Sequence, residues 1–264
     1  MSAPSDADEP RFTALVLAGS RGGDDPVARH CGVAHKCLAP VRGVPMLARV
    51  LQALAASSSI ERIFVSLPDP TILQGLALEG CRALASGATP SMSVLQALDE
   101  VPDPLPFLIT TADHPLLTAA MVDGFCAAAR TSGADLVAGL TEASVIRSAY
   151  PETRRTWLRF ADAAYSGANL FALLQPEGRQ AVVFWRRVER ERKRPWRLVR
   201  AFGIAPLLAY LLGRLSLDDA MRRASQVIGA PVAAVRLPFA EAAIDVDKPA
   251  DLALVESILC RSGG

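Results

Sequence analysis

FTALVLAGSRGG, Phe12 to Gly23, decides the reading of this chain. The run from Phe12 to Ala18 is apolar, rich in β-formers and closed by Gly19, which marks a buried strand running into a tight turn. A strand that is continuously apolar, without polar alternation, is expected where both sheet faces are covered. Similar runs follow at Arg62 to Leu67 (RIFVSL), Cys81 to Ser86 (CRALAS), Phe107 to Ala112 (FLITTA) and Asp135 to Leu140 (DLVAGL). Between them, helices are expected from Pro45 to Ala56, Ser91 to Asp99 and Thr118 to Arg130. Pro45 suits a first helical turn, and Ser91 and Thr118 suit N-caps. The β-α-β rhythm predicts an α/β fold, a three-layer αβα arrangement around a mostly parallel, doubly wound sheet. No internal repeat is visible.

The rhythm breaks after about Ala143. Trp157 to Phe160, Tyr165 to Leu174 and Val232 to Leu237 read as further strands, separated by a helical and basic insertion at about 176–229. Arg186 to Arg200 holds eight Lys/Arg (Arg186, Arg187, Arg190, Arg192, Lys193, Arg194, Arg197, Arg200) against Glu189 and Glu191, a local +6 that leaves −5 for the rest. Leu207, Leu208, Leu211, Leu212 and Leu215 then recur at helical spacing, and Ser216 with Asp219 opens another helix as a capping box. The expectation is a single domain over 1–264, with its core at about 11–143 and 231–260.

At 264 residues and 51% hydrophobic content the chain can bury a sizeable core, and its net charge of +1 gives no global field toward nucleic acid or anionic lipid. Five scattered cysteines, without CxxC or zinc-site spacing, exclude a disulfide or zinc scaffold. The acidic start MSAPSDADEP is unlike a secretory signal, so a cytoplasmic protein is expected. The longest apolar stretch, Ile204 to Gly213, falls well short of the about 20 residues that span a bilayer.

Three segments carry chemistry. In the first, LAGSRGG (Leu17 to Gly23) is followed by HKCLAPVRGVPML (His35 to Leu47). A glycine-rich turn lets backbone N–H groups approach phosphate oxygens, and Lys36 adds a compact positive charge. Neither GxxxxGK[ST] nor GxGxxG is present, which disfavours a P-loop and a dinucleotide fold. In the second, TTADHPLL (Thr110 to Leu117), a strand ends in Asp113, a carboxylate suited to hold Mg²⁺ against nucleotide phosphates or to cap the next helix. His114 beside it could orient Asp113 or a phosphate but is given no catalytic role. In the third, AIDVDKPADLALVE (Ala243 to Glu256), a strand runs into Asp245 and Asp247. Either could reach the cation of Asp113, while Pro249 and Asp251 open a helix.

Taken in order, LVLAG, HKCLAPVRGVPMLARVL, SGATPSMSVLQAL, TTADHPLL and DVDKPADL resemble the MobA-like nucleotidyltransferases over roughly residues 12–126 and 241–258. The resemblance implies a Rossmann-like (GT-A-like) sheet and a Mg²⁺-dependent transfer of NMP from an NTP to a phosphorylated acceptor, a sugar, alditol, cofactor or lipid-headgroup phosphate, with release of pyrophosphate. Carried over by position, Leu17, Ala18, Gly19 and Ser20 hold the nucleotide, and Lys36 holds its phosphates. Ser86, Gly87 and Ser93 lie near base and ribose, Asp113 with Asp247 or Asp245 holds Mg²⁺, and Asn169 in YSGANLF (Tyr165 to Phe171) contacts the acceptor. The family turn LAGGxGxRMG followed by PK is altered here. Ser20 and Arg21 stand in its middle, Asp24 replaces the Arg and His35 the Pro, so Arg21 or Arg29 would supply the guanidinium.

For the basic insertion the readings are an anion clamp for the acceptor, a peripheral membrane contact through residues 185–213 with Trp185, Trp196 and Phe202, or a solvated helix. A nucleotide-sugar glycosyltransferase is a weaker reading, because Thr111 and Ala112 stand where a DxD would begin. A catalytically idle nucleotide-binding or membrane-surface regulatory module is the remaining alternative.

Overall fold

The computed structural model describes residues 10–19, 25–76, 80–153, 155–191 and 203–262. β1 (Phe12–Leu17) lies at the centre of an eight-stranded sheet. It is flanked by β4 (Ile60–Leu67) and β6 (Phe107–Thr111), both parallel to it. Its side chains divide between two faces: Ala14 and Val16 enter one apolar cluster, and Leu15 enters the other with Phe64, Val94 and Phe107. Burial on both sides is why the run carries no polar alternation.

Outward from β4 lies β5 (Cys81–Ala85). On the other side of β6 come β9 (Ala164–Leu173), β7 (Leu136–Glu142) and the edge strand β10 (Val232–Leu237), with the two-residue β8 (Leu158–Arg159) pairing β9. β9 runs antiparallel to both neighbours, and the other long strands are parallel. The carboxyl ends of the parallel strands therefore share one edge, where open α/β sheets collect ligands.

α2 (Met46–Ala55) and α5 (Ala119–Arg130) cover one face, and α4 (Pro90–Glu100) with α7 (Arg179–Glu191) cover the other. α1 (Pro26–Cys31), α3 (Thr71–Gln74) and α6 (Ala143–Ala149) are shorter. The insertion continues as α8 (Ile204–Leu211) and α9 (Leu217–Ile228), and α10 (Pro249–Ser262) closes the chain. The Ser216 hydroxyl accepts from Asp219 N–H at 3.1 Å, as the capping pattern predicts. Leu217 and Met221 pack α9 on Leu140 and Tyr165.

Several expectations are corrected. Thr89, not Ser91, caps α4, its hydroxyl accepting from Met92 N–H at 3.3 Å, because Pro90 fixes the first helical turn one residue earlier. Tyr165 to Leu174, read as a strand, is one: Tyr165 to Phe171 lie within β9. The segment before Asp245 is a 3₁₀ turn, Glu241–Ala243, followed by coil rather than a strand. Between β2 (Pro40–Val41) and β3 (Val44–Pro45), Arg42 and Gly43 both have positive φ, 50° and 77°, the backbone of a two-residue hairpin turn. A smaller core of Val27, Val41, Met46, Leu116, Val246 and Val255 fastens α1, this hairpin and α10 together. Through it the last chemistry-bearing segment meets the first.

Candidate active site

The first turn sits on the sheet edge. Ala18 N–H donates to Ser66 carbonyl at 3.0 Å, and Leu17 carbonyl accepts from Ala112 N–H at 3.0 Å, so the chain leaves β1 pinned to both neighbours. Gly19 is exposed, and a Cβ built there meets nothing within 4 Å. Ser20, Arg21 and Asp24 lie outside the described residues.

Beyond β4 the same edge carries Ser86, whose N–H donates to Leu67 carbonyl at 2.9 Å. Gly87 closes onto the start of α4: its N–H donates to the Ser93 hydroxyl at 2.9 Å, and a Cβ would lie 2.8 Å from Ser93 N and 2.8 Å from Met92 Cβ. Only glycine fits there. Ser91, buried beside them, donates its hydroxyl to Glu189 of α7 and receives that carboxylate on its own N–H at 3.4 Å. Glu189 was not foreseen as a partner of this helix end. Its only sequence signal is its position within the basic run.

The charged centre is a trio. Lys36, at the start of a 3₁₀ turn (Lys36–Leu38), places its ammonium 2.6 Å from Asp113 Oδ2 and 2.9 Å from Asp247 Oδ1. The side chains of Lys36 and Asp113 are 17% and 23% exposed, and that of Asp247 is 59% exposed. Burial pulls the Lys36 pKa down, but the charges and hydrogen bonds of Asp113 and Asp247 outweigh it, so the net shift is upward and the ammonium stays charged. Asp113 Oδ1 is buried without a hydrogen-bond partner. The two acidic segments are joined directly, since Val246 N–H donates to Asp113 carbonyl at 2.9 Å. His114 is fully enclosed, with Nε2 3.3 Å from the Glu241 carbonyl, and burial lowers its pKa. It braces the 3₁₀ turn from beneath Asp113.

Asp245 is placed apart from the trio. Its carboxylate is engaged by Arg155 through Nη2 and by the Asn169 amide at 3.2 Å, and Arg155 Nη2 also donates to Ala243 carbonyl at 2.6 Å. Asn169 reaches it from a bulge: Ala168 to Leu170 stand opposite Gly139 alone, and Asn169 has φ 51°. Arg155 was missed from the sequence because it lies in a loop without periodicity or motif. Capping of α10 falls to neither Asp245 nor Asp247, for Asp251 accepts from the N–H groups of Asp247 and Lys248 at 3.0 and 2.9 Å.

Asp113 and Asp247 offer oxygen donors only, and among the described residues no group of three or more His, Cys, Asp or Glu gathers to hold a metal. Two carboxylates at the sheet edge suit Mg²⁺, which completes its shell from phosphate and water. The partnerless Asp113 Oδ1 is the atom that fits such an ion.

A Rossmann-like sheet with a glycine turn after its central strand and a Lys–Asp–Asp centre at its carboxyl edge is a nucleotidyltransferase architecture. Residues 14–228 match the MobA-like NTP transferase domain, and the chain belongs to that family. A solved structure of a hypothetical transferase from Thermus thermophilus is 33% identical with a TM-score of 0.78, covering 92% of this chain and all of that one. The 2-C-methyl-D-erythritol 4-phosphate cytidylyltransferase of Streptomyces coelicolor is 26% identical over 95% of this chain and 86% of its own. The 4-diphosphocytidyl-2C-methyl-D-erythritol synthase of Anaerococcus prevotii shares the fold at 14% identity, with a TM-score of 0.59 over 95% and 97% of the two chains. Among the described residues no helix is long and apolar enough to cross a membrane.

Proposed function

We propose that this nucleotidyltransferase moves a nucleoside monophosphate from an NTP to a phosphorylated acceptor and depends on Mg²⁺. The observation that carries the proposal is the Lys36 ammonium set between Asp113 and Asp247 at 2.6 and 2.9 Å, on the edge that also bears the Leu17–Gly19 turn and Gly87. Three such groups balance poorly on their own, one positive charge against two negative. A divalent cation supplies the positive charge the two carboxylates lack, and a polyphosphate binds to that cation and to Lys36.

In this reading Leu17, Ala18 and Gly19 present backbone to the nucleotide, continuing into Ser20, and Ser86, Gly87 and Ser93 border the base and ribose. Asp113 and Asp247 hold Mg²⁺, which supplies charge neutralisation at the transferring phosphorus. An acceptor phosphate oxygen bonds to the α-phosphorus in line, the bridge between α- and β-phosphorus breaks, and pyrophosphate leaves with the electron pair. Lys36 stabilises phosphate charge, and Arg21 adds a guanidinium from the first turn. No covalent intermediate is needed. Asp245 serves the site indirectly, held by Arg155 and Asn169 to fix the coil that leads into Asp247. The names of the curated relatives favour CTP as donor and the phosphate of a small branched alditol as acceptor.

The test is pyrophosphate release from each of the four NTPs with phosphorylated sugars and alditols, including 2-C-methyl-D-erythritol 4-phosphate, over a Mg²⁺ titration. Turnover with one donor and one acceptor is expected. Asp113→Asn and Asp247→Asn should raise the Mg²⁺ requirement, and Asp245→Asn should leave it unchanged. Turnover without a divalent cation, or a Mg²⁺ requirement that moves only with Asp245→Asn, would overturn the assignment.

A further inference from the structure

α8 presents its apolar side outward. Ile204, Leu208, Leu211 and Leu212 are 69%, 51%, 68% and 66% exposed, and their spacing places them on one stripe of the helix. The opposite side is anchored. Tyr210 meets Phe160 edge-on with ring centroids 5.6 Å apart, and Ala161 N–H donates to Leu215 carbonyl at 2.8 Å. The stripe therefore belongs to a helix held in place, and four large aliphatic side chains stand in water where burial would be favourable.

The charge around the stripe decides what covers it. Exposed Arg214 follows the helix directly. At the other end the Arg223 guanidinium lies 3.5 Å from the position a Cβ would take on Gly203. Residues 192–202, the rest of the basic run with Trp196 and Phe202, lie outside the described residues. A second copy docking on the same patch would set these arginines against their own copies. An anionic bilayer complements both features, taking aliphatic side chains into the boundary between headgroups and acyl chains and arginines onto lipid phosphates. Trp185 takes no part, because it stacks on Phe171 inside the protein with centroids 6.3 Å apart.

We propose that the outward stripe of α8, with Arg214 and Arg223 at its ends, is a peripheral contact with an anionic lipid bilayer. Phe160, against which α8 rests, follows β8, and β8 pairs with the start of β9, at Ala164 and Tyr165, opposite the carboxyl end of β7. α8 therefore rests at the same end of the sheet as the carboxyl ends of the parallel strands. The contact is independent of the catalytic proposal, and either can fail without the other.

The experiment is co-sedimentation of the full chain with vesicles of phosphatidylcholine alone or mixed with phosphatidylglycerol, at low and high salt, for the natural chain and for Leu208→Glu/Leu211→Glu. Both substituted positions are exposed, so circular dichroism and thermal midpoint should be unchanged. Binding is expected to mixed vesicles only, to weaken with salt, and to fall at least about tenfold in the double variant. Equal binding to neutral vesicles, no binding to either, or a double variant that binds as well as the natural chain would overturn the proposal. A natural chain that is dimeric by light scattering, with a monomeric double variant, would also overturn it and assign the stripe to a second copy.

Discussion

Replacing Gly87 by alanine tests how tightly the turn after β5 is built against α4. The added Cβ would lie 2.8 Å from Met92 Cβ, 2.8 Å from Ser93 N and 2.9 Å from Met92 C, two of which are backbone atoms that cannot rotate away. Ordinary carbon contacts begin near 3.5 Å, so the helix start must retreat by roughly half an ångström or more. Retreat is opposed by the Thr89 cap and by Val94 and Leu95, which are fixed in the core. The Gly87 N–H to Ser93 hydroxyl bond at 2.9 Å is lost in the process. One hydrogen bond of about 1 kcal/mol and an overpacking cost of about 1–3 kcal/mol together predict a loss of about 2–4 kcal/mol. Urea denaturation should show a lower midpoint at unchanged slope. Because the displaced turn borders the proposed base site, NTP affinity measured by titration calorimetry should also weaken, tenfold for each 1.4 kcal/mol lost. A variant within about 0.5 kcal/mol of the natural chain would refute the close approach, since surface changes away from such features fall in that range.

Gly19→Ala is the counterpart, because nothing lies within 4 Å of its Cβ position and its φ is not in the left-handed region. Stability should hold or rise by a few tenths of a kcal/mol, while NTP affinity drops, and unchanged affinity would show that no nucleotide lies over this residue. Lys36→Met should cost only about 1 kcal/mol, since its partners are partly exposed, yet lower kcat by about 10²–10³; a kcat within threefold would remove Lys36 from the reaction. The raised Lys36 pKa means that its contribution is complete below the unfolded value of about 10.4 and lost as pH rises through the folded one. Denaturation of both chains across pH should therefore show their stability difference constant near neutrality and shrinking only in strong alkali. Arg155→Met, which strips a 9% exposed side chain from Asp245, should cost about 3 kcal/mol and reduce kcat without moving the Mg²⁺ requirement. A raised Mg²⁺ requirement in that variant would place Asp245 among the metal ligands instead.

The sheet was legible because burial on both faces leaves long apolar runs, and every run read as a strand before Ala143 is one. The direction of β9 was not, since its apolar residues suit a parallel or an antiparallel neighbour equally. Ile244 and Val246 are as buried as any strand residue, which made AIDV look like one. Burial there comes from packing on α10 and Leu116, however, and Val246 makes a single backbone bond to Asp113 rather than a ladder. The leucines of α8 left a different question open. Helical spacing identifies an apolar face but does not say what it faces, and here Leu208, Leu211 and Leu212 look outward.

The division of labour between Asp245 and Asp247 lay beyond the sequence for a related reason. Two carboxylates two residues apart share one side of an extended chain, so spacing alone assigns them equal access to a cation. The chain is not free to run straight, because Val246 is bonded to the Asp113 carbonyl and Asp251 gathers the N–H groups of Asp247 and Lys248. Those anchors turn the backbone between the two acids and deliver Asp247 to Lys36, while Arg155 and Asn169 claim Asp245. Each of the three charged groups of the centre is thus fixed by backbone bonds a few atoms from its side chain: Asp113 and Asp247 by those just named, and Lys36 by the 3₁₀ bond from Ala39 N–H to its carbonyl at 3.0 Å. A centre held in this way undergoes little reorganisation when a polyphosphate arrives, which is the condition under which fixed charges contribute most to transfer at phosphorus.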